Sequence, residues 1–558
     1  MHLPRLSRLF LLLLPIGLAL TWVMPNHHRP WTAFHADAWM AINLLVLAVF
    51  IACRSKQIDW YAFAVAIAGL CLLPWAQYFF GSGTLQLQNA WLAFFYLFGF
   101  FLSVLVASQW ERTQAHSCMD TLFLAITYAC VISLFFQLNQ WLDLIDCQLV
   151  CPGKTSRPFG NLGQANQMAT LLLWGVLGLG WFVARGKVNG WIALLLSCCF
   201  FFGIALTLSR TAWIGILILF MASLIWKRFF RQIISFWTSF LLIVYFILCV
   251  FFVSEVSASK GFSDNFDGVI RMSSELRPIA WRLFIDAALQ EPWFGYGWNQ
   301  TVIAHVAAAV EHPQLPSPFT YAHNLLLDLV LWCGIPIGLA IFLGLCWWLW
   351  RQINKVTSPE EALIILALLI VGNHAMLELP LYYAYFLFPV GLMIGVLCVR
   401  LKNKVIFQSS GLVFVPLLFS AAFFLGVLIR DYSRVEVSYN LLRMELYRFE
   451  ITSTKTPPDV FFLTLWKNYI LYARIEPYEG MDFQEIVWMR QMVSLFPNAL
   501  FVHKFVTVLT LNHQSEEAKF WIARMKKIVS DSDYLTAKEM WKKQGERNKI
   551  FKEVDWPA

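Results

Sequence analysis

The first 430 residues of this chain are dominated by apolar stretches close to the roughly 20 residues a helix needs to cross a hydrocarbon core. Thirteen can be read, over 9–24, 36–53, 59–79, 89–108, 119–138, 166–184, 189–208, 211–226, 233–253, 324–350, 361–379, 382–400 and 410–430. Only structures that satisfy their own backbone can lie in lipid, and runs of this length do so as helices. The expectation is an all-α polytopic membrane protein with about 13 transmembrane helices, a large loop at 254–323 and a helical C-terminal domain. Composition agrees. The chain is 59% hydrophobic and 14% charged, against about 25% charged in soluble domains. That excludes an ordinary soluble enzyme and a disordered protein.

Charge is unevenly spread. Residues 431–558 hold 35 of the 76 Asp, Glu, Lys and Arg side chains. This divides the chain into a membrane-embedded body, 1–430, and a soluble tail, 431–558. Placing the amino terminus in the cytoplasm puts Arg54, Lys56, Arg112, Arg185, Lys187, Lys227, Arg228, Arg231, Arg351, Lys355, Arg400, Lys402 and Lys404 on the cytoplasmic side, as the positive-inside rule requires. The net charge of +8 then reports loop placement, and no nucleic-acid partner is implied. An odd number of spans sends the tail outside. The first segment, with its basic start, is read as a retained span, since no convincing small-x-small cleavage site follows it. Most cysteines read as small buried hydrophobes. Cys147 and Cys151 share an exterior loop, where a disulfide is plausible.

The exterior loops collect polar residues that plain connectors do not need. PNHHRPW places His27 and His28 beside interfacial aromatics. PGKTSRPFGNLGQANQM, 152–168, offers Asn161, Gln164, Asn166 and Gln167 at a helix start, where one capping amide would suffice. In LTLSRTAW, Arg210 stands between two apolar runs, and an ionisable residue at membrane depth is by default a functional candidate. The long loop contains ELRPIAWRLFIDAALQEPWFGYGWNQ. Ala280, Leu283, Phe284 and Ala287 recur there at helical spacing, suggesting an amphipathic helix at the interface, with Arg277 and Arg282 nearby. Gly295 and Gly297 suggest a flexible turn. In YAHNLLLDLVLWCGIPIGL, His323 precedes a span that Asn324 could cap, and Asp328 follows. In NHAMLELPLYYAYF, His374 and Glu378 share a helix face if the helix is regular, ahead of Pro380, Tyr382 and Tyr383.

Arginines suit phosphates because their planar fork gives paired hydrogen bonds. A histidine or a carboxylate can take a proton from an attacking hydroxyl. No Walker sequence or dinucleotide fingerprint is present, and neither a cofactor nor a metal is called for. The Asp531–Asp533 pair belongs to a charged tail face. The residues describe a membrane enzyme acting from outside on a lipid-linked phosphate.

RPFGNLGQANQMATLL, LTLSRTAW, RPIAWRLFIDAALQEPWFGYGWNQ, YAHNLLLDLVLWCGIPIG and HAMLELPLYYAYFLFPVGL resemble the PglL-type bacterial protein O-oligosaccharyltransferases of the O-antigen ligase and polymerase superfamily. The resemblance implies transfer of a preassembled glycan from undecaprenyl diphosphate to Ser or Thr of an exported protein, commonly a pilin. This would take place on the periplasmic face of the inner membrane. It implies His323 for the family's loop histidine, Gln164 for its glutamine, and Tyr382 or Tyr383 for its tyrosine. Its arginines fall on Arg210 and on Arg277 or Arg282. Taken with the residues themselves, the catalytic candidates are His323, Glu378, Tyr382 and Tyr383. The donor-diphosphate candidates are Arg210, Arg277 and Arg282, and the glycan or donor contacts are Asn161, Gln164, His27 and His28. Neighbouring readings are an O-antigen ligase or repeat-unit polymerase. A lipid-linked sugar transporter is a poorer fit, because the polar residues gather on one face.

In the tail, helices are expected at about 499–511 and 515–529, with Asn512 and His513 in the turn and Ser515 as a cap. The hairpin is weakly tetratricopeptide-like. It could be a capping bundle or a docking surface for the acceptor protein.

Overall fold

The computed structural model describes residues 5–81, 83, 85–146, 148–151, 155–259, 266–449 and 456–556, with side chains left out over 5–11 and 266–275. It is a helical protein whose one described sheet has two strands. Helix covers most of each of the thirteen stretches, although the one expected over 59–79 begins in the strand Gln57–Tyr61. Eight helices are long and apolar enough to cross a bilayer by length and composition: Phe34–Ala52, Ala62–Phe80, Leu87–Thr113, Ser117–Leu142, Ala165–Ala184, Phe236–Ser259, Ile335–Ile353 and Gly411–Leu446. Others, such as Gly190–Leu206, Arg210–Ile225 and Ala384–Arg400, are apolar but shorter. Leu195, Phe251 and Phe419 are largely exposed, which suits a lipid-facing surface and would be costly in water.

The stretch expected as one span over 324–350 is two helices, Leu325–Cys333 and Ile335–Ile353. The break is at Gly334, whose φ is +79°. A Cβ there would lie 2.2 Å from the Trp293 carbonyl oxygen. Only glycine fits such an approach in that conformation.

The chain forms two compact units. The first comprises 1–71, 95–271 and 344–426. Its central helix is Ala165–Ala184, which packs on Ser117–Leu142, Gly190–Leu206, Arg210–Ile225 and Pro359–Ala375. Leu171, Leu172, Leu173 and Trp174 in consecutive positions are all buried, so this helix is apolar around its whole circumference and is enclosed by others. Helix starts follow local chemistry. Ser358 and Glu361 form a reciprocal capping box with Pro359 in the first turn, satisfying amide groups left open at a helix start. Small residues set the closest helix approaches. A Cβ on Gly395 would lie 2.3 Å from the Val104 carbonyl oxygen. Gly395→Val is therefore expected to lower stability by about 1–3 kcal/mol, the range for overpacking. The check is the melting temperature of the detergent-purified protein.

At one end of this unit the strand Gln57–Tyr61 pairs antiparallel with Val405–Ser410, placing Asp59 opposite Gln408. Basic residues there meet buried or half-buried carboxylates: Arg112 with Asp59 at 2.8 Å, Arg400 with Glu111 at 2.8 Å and Lys187 with Asp120 at 2.7 Å.

The second unit comprises 72–94, 272–343 and 427–558. Its tail helices include Thr464–Arg474, Phe483–Leu495, Ala499–Leu511, Ser515–Ile528 and Asp531–Arg547. Phe501, Phe505, Met489, Trp521 and Met525 share a core with Val306 and Ala309 of the long loop. Backbone bonds reinforce this, with Leu315 N donating to Lys527 O at 2.9 Å. The expected tail hairpin is present, with one correction. Gln514 is the residue before the second helix, and no side chain caps it, Ser515 being already helical. Asn512 instead uses its side-chain oxygen to accept from Gly480 N and Met481 N, each at 2.9 Å.

Candidate active site

The candidate residues fall into two clusters, one in each unit. The first cluster is built on the start of the helix Ala165–Ala184. Its preceding residue is Gln164, in an extended conformation and without a side-chain cap bond, so neither Asn161 nor Asn166 caps this helix. Asn161 is buried and committed to backbone. Its amide donates to Val23 O and Leu149 O, both at 2.7 Å, and its oxygen accepts from Cys151 N at 2.9 Å. His27 bonds through Nε2 to the carbonyl oxygen of Asn161. Burial holds the His27 imidazole below its ordinary pKa. Asn161 and His27 thus tie the amino-terminal loop to the glycine-rich loop, a holding task. His28 is exposed. Cys147, the proposed partner of Cys151, lies outside the described residues.

Beyond this tie the polar side chains form a chain. Gln167 donates to the side-chain oxygen of Gln164 at 3.1 Å and accepts from the hydroxyl of Tyr385 at 2.9 Å. Tyr383 stacks on Tyr385, with ring centroids 5.1 Å apart. Asp37 fixes the backbone of this tyrosine segment. It accepts from Ala384 N at 2.6 Å and from the Tyr96 hydroxyl at 2.8 Å. Tyr382 ends the short 3₁₀ turn Pro380–Tyr382.

His374 and Glu378 do not share a regular helix, which ends at Ala375. Each engages the central helix instead. The Thr170 hydroxyl bonds His374 Nδ1 at 2.8 Å, and Asn166 donates to Glu378 at 3.2 Å. Asn166 and Thr170 are four residues apart, so they present to one face. Two residues outside the expected set join them. Arg157 donates through Nε to Thr207 O at 3.1 Å and lies 3.5 Å from the Asn166 side-chain oxygen. Asn373 donates to Thr211 O at 3.1 Å. These bonds draw the glycine-rich loop and the Glu378 segment to the loop and helix start around Arg210.

Arg210 is the first residue of Arg210–Ile225, directly after Ser209, whose side chain caps the helix by accepting from Ala212 N. The open amide groups and dipole of a helix start favour anions and disfavour a cation. An arginine there lacks a helix-stabilising reason, and an anion would be favoured by both the guanidinium and the helix.

The second cluster surrounds His323. The helix Phe266–Gln290 buries Ala280, Leu283, Phe284 and Ala287. This apolar face is covered by protein, with Phe284 against the rings of His305 and Phe319. The expectation that it lies on a lipid interface is corrected accordingly, since amphipathicity alone does not say what covers a face. Arg277 on this helix is half-buried and Arg282 is exposed. The turn at Gly295 and Gly297 is pinned. Tyr296 N donates to Leu331 O at 2.7 Å and Gly297 N to Trp332 O at 3.2 Å. The glycines are needed for φ values of +65° and +96°, and the flexible turn expected there is a fixed one.

His323 adopts φ +52°, a left-handed conformation uncommon for a residue with a side chain. Asn324 caps the following helix as expected, accepting from Leu327 N. Asp328, buried within that helix, accepts from Ala322 N at 2.9 Å and from the Thr301 hydroxyl at 3.1 Å. Trp281 donates to Ala322 O at 2.9 Å. Upstream, Phe319 N donates to His305 Nδ1 at 3.0 Å.

His305 is buried, and burial lowers its pKa to about 4. His503 in the tail core is lowered to about 4 for the same reason. Such imidazoles are neutral when folded and protonate first in the unfolded chain. Stability is therefore fully present above about pH 6.5 and is lost as pH falls toward 4. Protonation of His305 Nδ1 would also remove the Phe319 bond. The unit should melt at progressively lower temperature between pH 6.5 and 4, and His503→Phe should flatten that slope. Melting curves across this range provide the check.

The sequence matches three family models. They are described as Protein glycosylation ligase over residues 158–182, O-Antigen ligase over 191–343, and Virulence factor membrane-bound polymerase, C-terminal, over 362–544. Gln164 falls in the first, Arg210, Arg277, Arg282 and His323 in the second, and Glu378, Tyr382 and Tyr383 in the third. Two relatives from Acinetobacter baylyi match over nearly their whole length. One, a General O-oligosaccharyltransferase, is 27% identical over 543 residues, covering 93% of this chain and 92% of the relative. The other, a ComP-specific O-oligosaccharyltransferase, is 25% identical over 539 residues, covering 93% and 94%. In the order of these matches and the length of the alignments, the chain is similar to the PglL-type O-oligosaccharyltransferases of the O-antigen ligase superfamily, and the named relatives are glycosyltransferases.

Proposed function

We propose that this chain transfers a preassembled oligosaccharide from undecaprenyl diphosphate to a Ser or Thr hydroxyl of an exported, pilin-like protein, on the periplasmic face of the bacterial inner membrane. The observation that carries this reading is Arg210 at a helix start, where a cation has no helix-stabilising role and a phosphate would be held twice over. The acceptor hydroxyl attacks the anomeric carbon, the bond to the diphosphate breaks, and undecaprenyl diphosphate leaves. Arg210, with Arg277 and Arg282, neutralises charge developing on the leaving group. His323 or Glu378 takes the hydroxyl proton. Tyr382 and Tyr383 complete the catalytic set, Gln164 and His28 contact the glycan or donor, and Asn161 and His27 hold the loop that carries Gln164.

The test uses proteoliposomes holding the chain, an undecaprenyl-diphosphate oligosaccharide, and either a pilin-like protein or lipid A core as acceptor. A glycan-sized mass gain on the pilin is expected. Transfer only to lipid A core would favour the ligase reading. Donor movement across the bilayer without transfer would favour a transporter.

A further inference from the structure

Ala322, immediately before His323, is held at both of its backbone polar groups, by the buried Asp328 and the half-buried Trp281. Its N–H donates to Asp328 Oδ1 at 2.9 Å, and its carbonyl accepts from Trp281 Nε1 at 2.9 Å. Asp328 is 2% exposed, and the same Oδ1 accepts from Thr301 Oγ1 at 3.1 Å. Thr301 is fully buried and accepts in turn from Trp332 Nε1 at 2.9 Å. Asp328 therefore joins three parts of the unit: the loop before His323, the start of the helix Thr301–Ala308, and its own helix. A buried carboxylate is costly without partners, so each partner gains a fixed geometry by satisfying it.

That geometry bears on one residue in particular. His323 stands at φ +52°, and a left-handed backbone is unfavourable for a residue with a side chain. Helix capping by Asn324 restrains the chain after His323. The Asp328 and Trp281 bonds restrain it before. Together they fix the direction in which the imidazole leaves the backbone. A proton acceptor must be held within a few tenths of an ångström of its working position, and a misplacement of about 1 Å can cost 10²-fold.

We infer that Asp328 is the positioning residue for His323, acting through the Ala322 backbone and the Thr301 hydroxyl. The inference rests on the proposed transferase reading, with His323 as the proton acceptor.

The experiment compares wild type, His323→Ala, Asp328→Ala and Asp328→Asn in reconstituted transfer from an undecaprenyl-diphosphate oligosaccharide to a pilin-like acceptor. It is run below the melting temperature of every variant, with kcat and donor KM measured separately. Asp328→Ala should lower kcat by at least 50-fold with donor KM within about twofold of wild type, as expected for a shifted acceptor. Asp328→Asn retains an oxygen for both donors and should recover to within about tenfold of wild type. It also keeps the question answerable if the alanine variant does not fold. Near-normal kcat in Asp328→Ala overturns the inference, as does an asparagine variant that loses activity only through a raised donor KM. An inactive wild type refutes the transferase reading itself. An active His323→Ala removes the acceptor role and the inference with it.

Discussion

His323→Ala is expected to lower glycan transfer by about 10²–10⁴-fold, the range for a removed general base, while the protein still inserts and purifies. His323 follows a backbone group held by Asp328 and Trp281 and precedes a helix-capping asparagine, so the local backbone stays in place when the imidazole is removed. The left-handed backbone at this position complicates alanine alone, because alanine tolerates that conformation poorly. Asparagine tolerates it well. His323→Asn should therefore match wild type in melting temperature and match His323→Ala in lost transfer. If His323→Asn transfers normally, the proton acceptor is another group, and Glu378, tied to Asn166, is the next to test.

Arg210→Ala is expected to lower kcat/KM by about 10²–10³-fold, as when one preorganised donor to a transition-state anion is lost. Removing a cation from a helix start should, if anything, favour the helix. Comparing the melting temperatures of the variant and the wild type then separates a lost phosphate contact from a folding defect. Arg210→Lys should recover only part of the loss, since lysine keeps the charge without the planar fork. A lysine variant with full activity would mean that charge alone is needed. An alanine variant with full activity would remove the diphosphate from this helix start.

Much of the fold was legible because a bilayer leaves one option for long apolar runs. Helix covers most of every expected stretch, and the tail hairpin appears within a residue of its expected ends. What escaped reading depended on partners distant in sequence. Asn161 looked like a ligand-facing amide, yet its three bonds go to Val23, Leu149 and Cys151. The helix carrying Phe284 looked interfacial because its pattern shows that a face is covered but not by what. Gly334 broke an apolar run that hydropathy reads as continuous, and the glycine is explained by its positive φ and the nearby Trp293 carbonyl. The candidate site was read as a set of residue types in the loops between the apolar segments. The roles of Arg157, Asp37 and Asp328 were not, because each acts through backbone groups or side chains brought close only by folding.

The most direct test of oligosaccharide transfer to protein is mass spectrometry of exported proteins from cells with and without this chain, with His323→Asn as a third sample. The account predicts at least one protein carrying a glycan-sized mass on Ser or Thr in the presence of the wild-type chain, and none in the other two samples. Identical mass profiles in all three, with a lipid-linked glycan present in the cells, would contradict it.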